Sequence, residues 1–254
     1  MKARFCPILA AMSVFAGLSI SAHAATVVPI TTVYAHNEKS NYDGTVADMI
    51  LGTGMNGYNY VLNQTPVNNN APAGWPNTLP STWSATSNGY QDEWQSQALV
   101  PSGTNSKIGW VVFDLGSTVA NLDELYLWNE RENQSRTVGN YNVYYATSPT
   151  VGLTHGPTNA TAIDYNFSSG GWTQVGSTLT MSWRGTDGSA VNDIVNLGDV
   201  SARYIAIEIL TNGTGVTGDS NKVGLAEVGI TAVPEPAAAL LGSLGLLALV
   251  RRRR

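Results

Sequence analysis

Between residues 25 and 233 the apolar positions fall in short runs of β-branched and aromatic residues, separated by Gly, Asn, Ser and Pro. No run has helical periodicity of useful length, so the pattern predicts strands. Residues 108–115 (Ile-Gly-Trp-Val-Val-Phe-Asp-Leu) are almost continuously apolar, which predicts a central strand covered on both faces. Residues 122–128 and 141–145 predict the next two strands. Residues 203–209 alternate, with Ile205, Ile207 and Ile209 on one face and Tyr204 and Glu208 on the other. Residues 223–230 supply the closing strand. Strands joined by polar turns, with no helices between them, predict an all-β antiparallel sandwich or barrel rather than βαβ units. No internal repeat is visible.

Residues 49–91 break this pattern. They hold no charge, are rich in Asn, carry prolines at 66, 72, 76 and 80, and interleave Tyr58, Tyr60, Trp75, Trp83 and Tyr90. A long stretch with little strand pattern reads as a functional loop or as disorder, and the aromatic content favours order. The two ends differ again. Lys2 and Arg4 precede an uncharged apolar run at 5–20, and Ala22-His23-Ala24 matches a small-x-small cleavage pattern. Together they predict a secretory signal over residues 1–24 and a mature chain starting at Ala25. At the other end, residues 237–250 form an uncharged apolar run before Arg251, Arg252, Arg253 and Arg254. Fourteen helical residues span roughly 21 Å, short of a hydrocarbon core of about 30 Å unless flanking residues and snorkelling arginines contribute. The arginine cluster should stay on the cytoplasmic side.

Charge and cysteine content narrow the chemistry. The only cysteine, Cys6, lies in the predicted signal, so disulfides, thiol nucleophiles and cysteine-ligated metals are excluded from the mature chain. Residues 25–233 hold seven Lys or Arg against seventeen Asp or Glu, a net charge of −10. Phosphate backbones would repel such a domain, which argues against nucleic acid and favours cations and neutral glycans. His36 and His155, the only histidines after the signal, have no partner at metal or triad spacing. The pairs Asp92-Glu93 and Asp123-Glu124 point to opposite strand faces, so neither makes a two-carboxylate glycosidase site. Residues 212–215 (Asn-Gly-Thr-Gly) and 52–54 (Gly-Thr-Gly) are turn chemistry, as no helix follows to cradle a phosphate. No enzyme is expected.

The tail, Pro234-Glu235-Pro236 followed by the apolar run and the arginine cluster, resembles the PEP-CTERM sorting signal. That resemblance implies recognition by an exosortase, a membrane transpeptidase, in a bacterium that makes exopolysaccharide. Transient inner-membrane anchoring and a secreted or cell-surface destination would follow; an ordinary short anchor helix is the other reading of the tail.

Residues 25–232 are expected to form one domain, and from about Ser40 to Ile230 it resembles the discoidin, or coagulation factor 5/8 type C, domains of the galactose-binding-like superfamily. The resemblance rests on 47–54 (Ala-Asp-Met-Ile-Leu-Gly-Thr-Gly) as an early loop and on 110–116 (Trp-Val-Val-Phe-Asp-Leu-Gly) as the aromatic strand ending in Asp-Leu-Gly. Residues 125–129 with 136–145, and 202–205 with 224–228, supply the later strands. It implies an eight-stranded jelly roll.

It also implies a structural calcium between the early loop and Glu227 of the closing strand. Leu51 stands where an Asp is usual, so Asp48 or Asp43 is the replacement on offer; the alternative is a solvated Glu227 on an edge strand. Glycan-binding members read sugars with arginine, asparagine and aromatic residues on loops at one end of the sandwich. Arg136, Trp75, Trp83, Tyr90 and Trp94 are the candidates here, with Trp110 and Trp128 assigned to the core. Two functions follow: a module binding extracellular polysaccharide, or a structural surface or matrix protein with no glycan ligand.

Overall fold

The computed structural model describes residues 25–35, 49–50, 94–96, 108–130, 133–149, 167–183, 192–215 and 222–233. Eight strands run through them: β1 (Thr26–Val27), β2 (Thr32–Ala35), β3 (Trp94–Gln95), β4 (Gly109–Asn129), β5 (Asn140–Ala146), β6 (Thr173–Thr180), β7 (Asp193–Ile209) and β8 (Gly224–Ala232). Every pairing between these strands is antiparallel. The described residues contain no α-helix, so the expected all-β antiparallel sandwich is met.

Two long strands organise it. β4 covers both of the segments, 108–115 and 122–128, that the sequence suggested as separate strands. Its chain turns inside the sheet at Gly116 (φ +80°) and Asn121 (φ 54°), and β7 turns beside it at Gly198 and Asp199 (φ 76° and 56°). Glycine and asparagine tolerate this left-handed backbone, so the ladder shifts register without ending. A side chain at Gly116 would also meet Thr31 at 2.9 Å.

The first half of β4 pairs with β2 and with the second half of β7, which continues into β5 and β6. The second half of β4 pairs with β8 and with the first half of β7. β8 in turn carries β1 and β3. The two halves enclose one core. Val111, Phe113, Ile205, Ile207, Tyr141 and Val143 enter it from one side, and Leu125, Leu127, Leu225, Val228 and Ile230 from the other. The outer face of the first half is covered as well. Trp110, Val112, Tyr144 and Ala206 pack there with Phe167 and Trp172, the Phe167 ring lying 5.3 Å from Tyr144 and 6.1 Å from Trp110. Residues 108–115 are thus covered on both sides, as their continuous apolar run suggested, and Trp110 and Trp128 are buried.

Two partly buried polar pairs fasten this frame. The Tyr141 hydroxyl donates to Asp193 Oδ2 at 2.5 Å, linking β5 to the start of β7. Burial, reinforced by that hydrogen bond and by the carboxylate charge, raises the Tyr141 pKa well above the usual phenol range. At the bend, the Arg203 guanidinium donates twice to Asp114, at 2.8 and 2.9 Å, and the Gly116 N–H donates a third bond to Oδ1. Burial raises the Asp114 pKa, but the Arg203 hydrogen bond, the Gly116 bond and the arginine charge outweigh it and leave it below the ordinary value.

A depressed carboxyl pKa contributes stability that is present above the unfolded-state value, near pH 4, and is lost as pH falls through the folded value. Melting temperature should therefore decline on acidification below about pH 4. In Asp114→Asn that part of the pH dependence should vanish, with a lower melting temperature at neutral pH. Parallel pH profiles for variant and wild type would contradict the assignment.

Candidate functional site

The end of the sandwich where β4 leads into β5 gathers three segments, and Gly224 is where two of them meet. The first is the connection from β4 to β5. Asn133 caps a short 3-10 turn at Gln134–Arg136, its side chain accepting from the Ser135 N–H at 3.0 Å. Asn129, 2% exposed, mimics a peptide group. Its Nδ2 donates to the Val138 carbonyl at 3.0 Å and its Oδ1 accepts from the Val138 N–H at 2.8 Å. Asn212 holds the connection from the other side, Nδ2 donating to the Ser135 carbonyl at 2.8 Å, while Gln134 Nε2 donates to the Gly213 carbonyl. Asn212 Oδ1 also accepts from the Thr214 N–H and hydroxyl, so 212–215 is the turn its sequence suggested. Arg136, half-buried, sits on this clamped turn.

The second segment is the exit of the uncharged region. Trp94 pairs with Leu225 and Gln95 with Gly224, while Thr137 of the first segment forms a bridge to the same Gly224. Ser96 closes the contact: its N–H donates to the Val223 carbonyl and its hydroxyl accepts from the Val223 N–H. A side chain on Gly224 would lie 2.7 Å from the Trp94 carbonyl, so this approach requires glycine.

The third segment is the connection from β6 to β7. Met181 N–H donates to the Gly139 carbonyl, and Asn192 Nδ2 donates to the Ser182 carbonyl. Trp183 follows with 39% of its surface exposed.

Trp94 is a correction to the sequence reading. It is fully buried in the main core, with no ring face for a ligand. Its pairing with Leu225 points the indole inward, which the polar neighbours on either side of it in sequence concealed. Trp75, Trp83, Tyr90, Asp43, Asp48 and Leu51 lie outside the described residues, as do the signal (1–24) and Pro234 to Arg254. Of the early loop, Met49 and Ile50 are described, and both are buried in the main core.

Glu227 is 2% exposed on β8, which is flanked by β4 on one side and by β1 and β3 on the other. The register steps from Trp128↔Glu227 to Asn129↔Leu225, so Ala226 is an extra residue that lets both Leu225 and Val228 face the core. Glu130, 1% exposed, is a second buried carboxylate at this end, and the sequence reading did not single it out. Its Oε2 accepts from the Asn133 N–H at 3.2 Å and its Oε1 from Gln95 Nε2 at 3.5 Å. Buried carboxylates need a cation or dense hydrogen bonding, and hard oxygen donors suit calcium. Among the described residues no three acidic or histidine side chains are grouped to hold a metal.

No protein-family model matches the chain, and no curated protein matches it. Solved structures do. The family 32 carbohydrate-binding module of C. perfringens NanJ, in complex with galactose, is 12% identical with a TM-score of 0.45, over 82% of this chain and 99% of that one. The lectin-binding domain of lectinolysin complexed with Lewis b is 13% identical with a TM-score of 0.42, over 82% and 95%. A pectin-binding carbohydrate-binding module is 10% identical with a TM-score of 0.42, over 80% and 91%. All three are carbohydrate-binding proteins.

Proposed function

We propose that this chain is an exported, non-catalytic discoidin-like module that binds extracellular polysaccharide at the end of the sandwich around Gly224. One observation carries the reading. The exit of the uncharged aromatic region and the turn bearing Arg136 are fastened to the same residue, Gly224. An aromatic-rich, charge-free stretch would supply faces for sugar rings, and the arginine on the clamped turn would supply directional donors to hydroxyls. Clamping by Asn129, Asn133 and Asn212 lowers the ordering cost of binding. The net charge of −10 favours neutral glycans over acidic ones.

The tail adds sorting by exosortase with transient anchoring in the inner membrane, and delivery to the cell surface or matrix. Glu227, with Asp48 of the early loop or Asp43 ahead of it in sequence, would hold a calcium. Bound there, the ion would cross-link two distant segments and neutralise buried charge without disulfides.

Calorimetry of the secreted protein against the producing organism's exopolysaccharide tests the reading, run in millimolar calcium and again in chelator. The intact mass should match a chain starting at Ala25 and lacking the apolar tail. Dissociation constants should lie between about micromolar and millimolar, because hydroxyl desolvation and loop ordering offset much of the stacking. Arg136→Ala should weaken binding with the fold intact, and chelator should lower the melting temperature. A folded protein that binds no glycan would leave the structural surface or matrix role. Identical melting with and without calcium would remove the ion.

A further inference from the structure

Trp183 and Ile194 are the only large apolar side chains exposed among the described residues, at 39% and 40%. The other described tryptophans, at 94, 110, 128 and 172, are at most 8% exposed. A lone exposed apolar residue needs no explanation by itself. Trp183 differs in how its base is held.

Asn192 fixes the residue before it. Its Nδ2 donates to the Ser182 carbonyl at 3.1 Å, its Oδ1 accepts from the Asn129 N–H at 2.8 Å, and its own N–H donates to the Leu127 carbonyl at 2.9 Å. Two residues before Trp183, Met181 N–H donates to the Gly139 carbonyl at 2.9 Å. Asn129 closes the ring through both backbone groups of Val138. The base of Trp183 and the connection carrying Arg136 are thus one hydrogen-bonded unit. The residues leading to Trp183 are polar and exposed at Thr180 and Ser182, and the Thr180 hydroxyl donates to Asn140 Oδ1.

We infer that Trp183 is a stacking platform for one pyranose ring of a neutral glycan, at the seam between the β4–β5 and β6–β7 connections. The inference rests on the glycan-binding reading above and assigns it a residue. An indole on a fixed base offers apolar ring surface at little entropic cost, and the hydroxyls and amides of the same two connections would be available to a sugar's hydroxyls. A second protein is a poor occupant. Two-fifths of an indole of about 250 Å² leaves roughly 100 Å², against the roughly 800 Å² per partner of a stable interface. The acidic domain disfavours a charged sugar.

The full chain, as wild type, Trp183→Ala and Trp183→Phe, should be titrated with the organism's exopolysaccharide and screened on an array of neutral and acidic glycans, each variant well below its own melting transition. Trp183→Ala should weaken binding to the best wild-type ligand by about tenfold, within the range of aromatic stacking contributions. Trp183→Phe, which keeps a ring on the same base, should stay within about threefold and melt close to wild type. Saturating glycan should shift tryptophan emission in wild type, with the shift reduced in Trp183→Phe. Unchanged affinity of a folded Trp183→Ala, or preference for acidic glycans, would overturn this inference while leaving glycan binding in place. No glycan bound by wild type would overturn both, and a change of oligomeric state on Trp183→Ala would show the indole to be a self-contact.

Discussion

Gly139→Ala should destabilise the protein by more than about 3 kcal/mol, the range in which backbone-locked sites fail to absorb an added methyl. A Cβ at this position would lie 2.0 Å from the Asn212 carbonyl oxygen and 2.6 Å from its carbon, and neither can move as a flexible side chain would. The neighbourhood is fixed from every side. Gly139 N–H donates to the Thr211 carbonyl, the Gly139 carbonyl accepts from Met181, and Val138 bridges Asn212. For a domain of this size each kcal/mol lowers the melting temperature by about 2–4 °C, so a drop of roughly 10 °C is expected.

Gly176→Ala is the control. Nothing lies within 4 Å of its Cβ position, and the cost comes from a backbone φ of +61°, about 1–2 kcal/mol. Thermal and denaturant melts of the two variants should separate clearly. A Gly139→Ala protein as stable as Gly176→Ala would mean that the connection bearing Arg136 does not rest on residues 211–213. Glycan affinity should also fall in Gly139→Ala, because the displaced joint is the one that holds Arg136 and the base of Trp183.

Trp94→Ala should cost about 3–5 kcal/mol, the range for deleting a large buried aromatic, and should show as unfolding rather than as loss of ligand alone. The side chain is fully buried among core residues, and its strand seats Gln95 and Ser96 against Gly224 and Val223. Trp94→Phe should cost much less. It keeps most of the buried ring area and removes an indole Nε1–H that finds no acceptor among the described residues. Denaturant unfolding with a binding assay at the same temperature separates the outcomes. A Trp94→Ala protein that melts like wild type yet loses glycan would restore Trp94 to the ligand surface and remove it from the core.

Local order in the sequence determined which residues share a strand face. The alternation at 203–209 placed Ile205, Ile207 and Ile209 in the main core and Tyr204 outside it, and the continuous apolar run at 108–115 marked a strand covered twice. Period-two patterning is a property of neighbours along the chain, so it can be read without the fold. The absence of helical periodicity determined the all-β class in the same way, and the sequence of 212–215 marked a turn.

Long-range pairing decided the rest. Residues 116–121 have the composition of a loop, yet the partner strand β7 keeps them in the sheet through paired bends at Gly116, Asn121, Gly198 and Asp199. Trp94 and Trp183 stand in equally polar sequence, and one is buried while the other is exposed. The difference is that Trp94 pairs with Leu225, some 130 residues away, whereas Trp183 leaves the sheet just after β6. Glu130, too, is an unremarkable glutamate until Gly224 and Gln95 are brought against it. Burial at one end of a sandwich is set by which distant segments meet there, and hydrophobic pattern carries no record of that partner.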